Sequence, residues 1–278
     1  MMRQTYNFLF QSVALVTVLC LSGFTVSAQE KVKPSTSDAT AAKQAIEKIV
    51  REYLLKNPEV LREAMQALQA KEEKAKSELI AKNLKALKSE IYSDQDSPTI
   101  GNPHGDVSVV VFFDYNCGHC RNSLPNLASL TATDKSVRIV YKEFPIMSPN
   151  SEIVARAALA AKQQGKYLEF HQALLETDEV GEAAVKLISE KLNLNAEQLQ
   201  KDMNDAKMAE ALSRNAKLAT SLEIAGTPAY IIGDQIIPGA IDTNSLSEMV
   251  AAERAKLPKP ENVKVKPHAI SKSSAGLK

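Results

Sequence analysis

The sequence predicts an α/β protein, built as a small mixed β-sheet with helices on both faces and a helical insertion. Three observations predict this class. An apolar strand, Val107–Phe113, leads directly into a helix that starts at the sequence NCGHC. A second strand pattern, Val137–Glu143, follows that helix. A long helical stretch at about 149–220 then separates these strands from a hairpin and a last helix.

Each strand has its own signal. The run VSVVVFF at Val107–Phe113 is almost continuously apolar and rich in valine, which is typical of a central strand covered on both faces. The later segments AGTPAYIIG and QIIPGA predict a hairpin that turns at Gly233-Asp234. Thr243–Lys256 predicts the closing helix, and residues 258–278 predict a flexible tail.

The first residues predict an export signal. Met1–Gln4 carries one positive charge, Phe8–Leu21 is mostly apolar, and Val26–Ala28 offers the small residues that signal peptidase needs. The unbroken apolar core is shorter than the about 20 residues that cross a bilayer. We expect a signal peptide at 1–28 and a bacterial periplasmic protein, with outer-membrane association left open. A retained signal anchor is the alternative.

Residues 29–95 predict a helical arm and linker. The first helix has an apolar face at helical spacing, formed by Ile46, Ile49, Val50, Tyr53 and Leu54. Asn57-Pro58 ends it and starts a second helix, expected to run to about Ile91. A helix this long with a thin apolar stripe is not buried on all sides. It either lies on the main domain or packs on another subunit. We favour an oligomerisation arm and a homodimer, with a trimer as the alternative.

Charge and cysteine content narrow the function. Lys and Arg number 34 against 33 Asp and Glu, so no net field favours binding to nucleic acid. Cleavage of the signal removes Cys20 and leaves Cys117 and Cys120. A bridge across two residues restricts the unfolded chain little, so a purely structural disulfide is a poor explanation. The pair therefore points to chemistry.

The predicted catalytic residues are Cys117, Gly118, His119 and Cys120. The first sulfur lies where the free N–H groups and the dipole of a helix N-terminus favour thiolate, the reactive form. The second cysteine lies one turn further on and can attack a mixed disulfide on the first. An imidazole at position 119 stabilises the thiolate further, which makes the disulfide a stronger oxidant. The only redox group this needs is the cysteine disulfide, with no bound cofactor.

A metal site is the alternative for a CxxC pair. A closed zinc site needs two further ligands, and the sequence has no second cysteine pair. The histidines are scattered at His104, His119, His171 and His268. We predict no structural metal site, and we expect His171 to be a packed helix residue. Capture of Cu(I) by the reduced pair stays open as a side activity.

At this point the residues resemble a known family. FFDYNCGHC, followed much later by GTPAY, is similar to the DsbA-like thiol-disulfide oxidoreductases, over about Asn102–Lys256. The resemblance implies a thioredoxin-like fold with an inserted helical subdomain, here as a catalytic domain at 96–257. The arm and the GNPHG sequence after it look like the oligomeric bacterial branch, related to the Com outer-membrane-associated antigens and the suppressor-of-copper-sensitivity proteins.

The resemblance implies roles for further residues. Cys117 would be the attacking cysteine and Cys120 the resolving one. Pro228 would be a cis proline facing the pair, and Thr227 would hydrogen-bond an extended substrate chain. A threonine before this proline resembles the isomerase members more than the simple oxidases.

One position departs from the family pattern. Members often carry a buried carboxylate six residues before the first cysteine, where this chain has Val111. Lys142 and Glu143 on the next strand could supply the proton relay instead. The alternative is that both are solvated charges at a strand end.

Together these features predict an exported oxidoreductase that forms or isomerises disulfide bonds in secreted and envelope proteins. Its expected partners are unfolded or misoxidised exported proteins and a membrane oxidase or reductase that resets the cysteine pair. The alternative function is an oligomeric periplasmic chaperone or copper-binding protein in which the thiols are secondary.

Overall fold

The structure is a computed structural model that describes residues 36–258, apart from the side chains of Thr36 and Asp38. The predicted signal peptide at 1–28 and residues 259–278 of the predicted tail lie outside the described residues. No helix within the described range is both long enough and apolar enough to span a membrane. The chain divides into two compact units between Ala67 and Leu68.

Ten helices and five strands cover the described chain. In chain order they are α1 Thr36–Lys56, α2 Glu59–Ala86, α3 Lys88–Tyr92, β1 Thr99–Gly101, β2 Val107–Phe113, α4 Gly118–Thr133, β3 Val137–Glu143, α5 Pro149–Gln163, α6 Tyr167–Glu176, α7 Glu182–Lys191, α8 Ala196–Met203, α9 Ala206–Ser221, β4 Ala229–Ile232, β5 Gln235–Pro238 and α10 Thr243–Lys256.

The strands form one mixed sheet in the order β1-β3-β2-β4-β5. The pair β2–β3 is parallel, and the other three pairs are antiparallel. The four predicted strands are confirmed. The edge strand β1 was not predicted, because its three residues lie in a stretch whose Asp, Ser, Pro and Gly residues are typical of a loop. Gly101 ends β1 at φ +79°, and a Cβ there would lie 2.5 Å from the carbonyl oxygen of Val137.

The central strand β2 is covered on both faces, as the sequence predicts. Val109, Val111 and Phe113 face a first hydrophobic cluster, with α4, α10 and the helices of the insertion. Val110 and Phe112 face a second cluster, with α9 and the end of the N-terminal helical segment. This alternation places successive side chains of each central strand in different environments.

The second predicted helix is shorter than expected. It was expected to reach Ile91, but α2 ends at Ala86 and the separate helix α3 follows. Leu84 and Ile91 are buried in the second hydrophobic cluster. The last part of the predicted arm therefore belongs to the core of the sheet domain, and a truncation meant to remove only the arm should stop at Ala67.

A buried lysine lies on the face of the sheet that carries the second cluster. Lys142 is 1% exposed, and its Nζ donates to Asp94 Oδ2 at 2.9 Å and to the carbonyl oxygen of Glu90 at 2.7 Å. Burial lowers the pKa of Lys142, and the hydrogen bond with Asp94 opposes that shift. The ammonium group therefore depends on Asp94 for its counter-charge.

We expect Asp94→Asn to lower the free energy of unfolding by about 3 kcal/mol, since it leaves a buried charge without its partner. Urea denaturation measures this loss. The control is Asp96→Asn, because the ion pair of Asp96 with Arg214 is exposed and such pairs contribute at most about 1 kcal/mol. Equal losses of unfolding free energy in the two variants would contradict the assignment of Asp94 as the counter-charge of Lys142.

Candidate active site

The cysteine pair lies at the predicted corner between strand and helix. β2 ends at Phe113, and α4 begins at Gly118 with Cys117 as its N-cap residue. The N–H of Cys117 donates to the carbonyl oxygen of Asp114 at 3.1 Å, which closes the turn. Cys120 follows in the first turn of the helix, on the same side as Cys117.

The two cysteines are buried, and the dipeptide between them is exposed. Cys117 is 4% exposed and Cys120 is fully buried. Burial, followed by smaller effects that include the neighbouring Cys117, raises the pKa of Cys120. Gly118 and His119 are exposed, and a Cβ on Gly118 would meet no atom within 4 Å. Side chains at 118 and 119 can therefore vary without repacking the core.

The residues assigned to substrate binding face the first cysteine. The Thr227–Pro228 peptide bond is cis, as the resemblance implies. The thiol of Cys117 donates to the carbonyl oxygen of Thr227 at 3.2 Å. Thr227 Oγ1 is buried and has no hydrogen-bond partner among the described residues. The roles of Thr227 and Pro228 in substrate binding stay predictions.

Asp114 organises the loop before the cysteines. Its buried carboxylate accepts from the N–H groups of Asn116 at 2.7 Å, Ile146 at 2.7 Å and Met147 at 2.8 Å, and from Ser151 Oγ at 2.8 Å. The contact with the N–H two residues later is an Asx-turn, and an aspartate directly after a strand is a signal for one.

The two candidate relay residues lie on opposite faces of the sheet. Lys142 faces the second cluster with Asp94, whereas Glu143 lies on the side of the cysteines. Both are 1% exposed, so the alternative that they are solvated charges at a strand end is wrong. The structure does not bring the two side chains together.

Glu143 belongs to a buried polar network between β3 and the helical insertion. Its Oε1 accepts from the hydroxyls of Tyr115 at 3.1 Å and Tyr167 at 2.9 Å, and the Tyr115 hydroxyl also contacts His171 Nδ1 at 2.9 Å. Burial raises the pKa of Glu143 well above its usual value. Burial also lowers the pKa of His171 to about 3. Burial therefore favours the neutral form of each group, and the prediction that His171 is a packed helix residue is confirmed.

Two tyrosines flank the position where the family often has a carboxylate. Val111 pairs with Tyr141 on β3 and with Tyr230 on β4. The Tyr230 hydroxyl donates to Ser123 Oγ at 3.0 Å, one turn after Cys120 in α4. Burial raises the pKa of Tyr230 to about 12. Sequence reasoning missed these residues, because only the strand register brings them beside Val111.

Metal ligands do not cluster in the described part of the chain. No group of three or more His, Cys, Asp or Glu side chains there could hold a metal ion.

Glu143→Gln is expected to change how stability depends on pH. Well below pH 4.5 the carboxyl is protonated in both states, and as the pH rises the unfolded chain releases the proton first, because burial raises the pKa of the folded carboxyl. The wild-type free energy of unfolding should therefore fall relative to the variant by up to about 1.4 kcal/mol per pH unit. Urea denaturation from pH 4 to 8 tests this. If the unfolding free energies of wild type and variant change with pH in parallel, Glu143 ionises normally in the folded protein.

Two family models match the chain. A model described as DSBA-like thioredoxin domain matches residues 108–251, slightly more than half of the 278 residues. A model described as Copper resistance protein ScsC N-terminal domain matches residues 43–75. Both agree with the resemblance read from the sequence.

Solved structures extend this similarity. A thioredoxin-like oxidoreductase from Silicibacter pomeroyi is 39% identical, with a TM-score of 0.59, over 61% of this chain and 98% of that one. Proteus mirabilis ScsC in a transitional conformation is 30% identical, with a TM-score of 0.59, over 78% of this chain and 99% of that one. The predicted thioredoxin-like fold with a helical insertion is confirmed.

A curated relative is a much longer protein. The Na(+)/H(+) antiporter NhaA 3 of Salinispora tropica is 28% identical over 161 residues, which cover 56% of this chain. The chain spans 25% of the length of that antiporter. The similarity concerns that quarter alone.

Proposed function

Because the chain belongs to the DsbA-like thioredoxin-domain family, we propose that it is an exported protein thiol-disulfide oxidoreductase that acts through Cys117 and Cys120. One observation supports this most directly. Cys117 lies at the N-terminus of α4, in contact with the carbonyl oxygen before a cis proline, and Cys120 is buried behind it. A substrate sulfur can reach the first cysteine, while the second is placed to resolve the product.

As an oxidase, the protein accepts electrons from a client. A client thiolate attacks Cys117 Sγ, the bond between the two cysteines breaks, and Cys120 leaves as a thiolate that takes up a proton. A second client thiolate then attacks the client sulfur of the mixed disulfide. The client gains a disulfide, and the protein is left with two thiols.

As an isomerase, the reduced protein starts the reaction. The Cys117 thiolate attacks a wrong client disulfide and releases one client sulfur as a thiolate. Another client thiolate attacks the mixed disulfide, forms the new client bond and restores the Cys117 thiolate, so no net oxidation occurs. We propose that the protein performs both reactions in the periplasm, on unfolded or misoxidised exported proteins. A membrane oxidase or reductase would reset the pair.

Cys120→Ser is expected to accumulate mixed disulfides between Cys117 and client proteins, because the resolving thiol is missing. Cys117→Ser is the matched control and should trap none. Acid quenching and thiol alkylation of cell extracts, followed by non-reducing electrophoresis, measures the trapped species. Equal trapping in the two variants would contradict the assignment of Cys117 as the attacking residue.

An alternative is an oligomeric chaperone or copper-binding protein. The match of residues 43–75 to the copper-resistance family model favours it, and two free thiols suit Cu(I). Cys117→Ala separates the proposals. Loss of client oxidation with unchanged copper tolerance supports the oxidoreductase, and loss of copper tolerance supports Cu(I) binding by the thiols. An unchanged cellular function of the variant supports a chaperone role.

The N-terminal helices support a homo-oligomer. Large apolar side chains on α1 and the first half of α2 are about half exposed or more, namely Ile46, Ile49, Val50, Tyr53, Leu55, Leu61, Met65 and Leu68. Apolar residues at this spacing on a long helix are typical of helix–helix association. We propose a homodimer, with a trimer as the alternative, in which several active sites serve one client.

Ile49→Glu should convert the oligomer to a monomer, because it places a charge within the apolar stripe of α1. Ile49 lies in this stripe and is 66% exposed in the single chain. Gln44→Glu adds the same charge on the opposite side of α1 and is the control. Size-exclusion chromatography with light scattering measures the mass. A monomeric mass for the wild type, or an unchanged oligomeric mass for Ile49→Glu, would contradict the proposal that this stripe forms the oligomer contact.

A further inference from the structure

An apolar groove of about 320 Å³ lies between the C-terminal half of α2 and the chain that leads into β4. Lys76 and Ile80 line it on the helix side, and residues 222–229 line it on the loop side. Ile236 and Pro238 of the edge strand β5 complete the lining. The groove is on the side of the second hydrophobic cluster, which contains Leu222, Ile224 and Ala229.

The groove shares two residues with the active site. Thr227 and Pro228 line it, and the carbonyl oxygen of Thr227 accepts the hydrogen bond from the thiol of Cys117. A polypeptide whose sulfur reaches Cys117 therefore comes close to residues that also line the groove. An extended chain advances about 3.3 Å per residue, so side chains close in sequence to the reacting cysteine come within reach.

Two polar contacts hold α2 against this loop. Lys76 Nζ lies 3.0 Å from Glu223 Oε2. Asn83 Nδ2 donates to the carbonyl oxygen of Ser221 at 2.7 Å, and that carbonyl belongs to the last residue of α9, where helix carbonyls lack intrahelical partners. The helix wall of the groove is thus fixed to the loop that carries the cis proline.

Glu223 occupies a backbone conformation that usually selects glycine. Its φ is +58°, and the N–H groups of Glu223 and Ile224 bond to the carbonyl oxygens of Thr220 at 3.1 Å and Ala219 at 2.8 Å. These bonds form the Schellman motif, whose left-handed residue is most often glycine. Glu223 occupies this strained position, and its side chain pairs with Lys76. A glutamate where glycine is usual therefore indicates a role for the ion pair.

We propose that this groove docks an extended apolar segment of a client polypeptide, next to the cysteine that reacts at Cys117. The lining is mostly apolar and includes Thr227 and Pro228 of the active site, so we expect an apolar part of the reacting client to bind there. Ile80 supplies apolar contact, and the Lys76–Glu223 pair holds the groove open at the required width. This inference rests on the proposed oxidoreductase function, and it makes α2 a determinant of client choice.

Rates of thiol oxidation test the proposal. The oxidised chain without residues 1–28 is mixed with a short peptide whose single cysteine is flanked by leucine and isoleucine. The same peptide with serine flanks, and glutathione, are the reference thiols. Acid quenching and mass spectrometry give the second-order rate constants. Ile80→Ser should lower the rate constant of the apolar peptide about tenfold and leave that of glutathione unchanged.

Matched variants separate docking from folding. Leu79→Ser changes a neighbouring apolar residue that is 48% exposed and outside the groove, so it should have no effect. Lys76→Ala should slow the apolar peptide, whereas Lys74→Ala, which removes an exposed pair with Glu78, should not. Glu223→Gly should slow the peptide while the melting temperature stays the same or rises, because the strain is removed.

Several outcomes would overturn the proposal. Equal losses for the peptide and glutathione in Ile80→Ser would mean that Ile80 only supports the active site. Unchanged rates in all groove variants would mean that no client segment docks there. Faster peptide oxidation after deletion of 259–278 would assign the groove to this segment of the chain, and a changed oligomer mass in Ile80→Ser would assign it to a second copy. A wild-type protein that oxidises neither glutathione nor peptide would refute the proposed function itself.

Discussion

The geometry of the cysteine pair depends on the buried carboxylate of Asp114. It accepts four hydrogen bonds, from the loop before α4 and from the segment that enters the helical insertion. Loss of the carboxylate would leave buried donors without partners, at a cost of about 1–3 kcal/mol each. The position of Cys117 at the helix N-terminus is therefore supported by contacts from the loop before α4 and from the segment after β3. The insertion thus contributes to the active site even where it donates no reacting group.

Buried ionisable side chains have different surroundings on the two faces of the sheet. On one face Asp94 lies 2.9 Å from Lys142 and favours its charged form against the effect of burial. On the face of the cysteines, Glu143 and His171 have hydroxyl partners and no counter-charge, so burial favours their neutral forms. These two side chains therefore favour a polar, uncharged network on this face, which lies near the acidic side chain of Asp114. Hydroxyl groups such as that of Tyr230 can donate a hydrogen bond to a thiolate, but at neutral pH they do not take up a proton.

Local patterns allowed most of the fold to be predicted. The strand before NCGHC and the helical insertion follow from apolar spacing within single segments. The edge strand β1 and the tyrosines beside Val111 could not be predicted, because they depend on register between distant segments. The burial of Glu143 was missed for a related reason. Its neighbours Tyr115 and Tyr167 come from other elements, so the sequence around it is the same as that of a solvated strand end.

In the proposed function, the burial of Cys120 affects the balance between reduction and isomerisation of a client disulfide. Thiol–disulfide exchange proceeds through the thiolate, so its rate depends on the fraction of the attacking thiol that is deprotonated. Burial raises the pKa of Cys120, which slows its attack on a mixed disulfide held at Cys117. A longer-lived mixed disulfide gives another client thiol time to attack it first, and that route rearranges the client bond rather than removing it. The same burial that excludes Cys120 from solvent therefore favours isomerisation over reduction of the client within the proposed function.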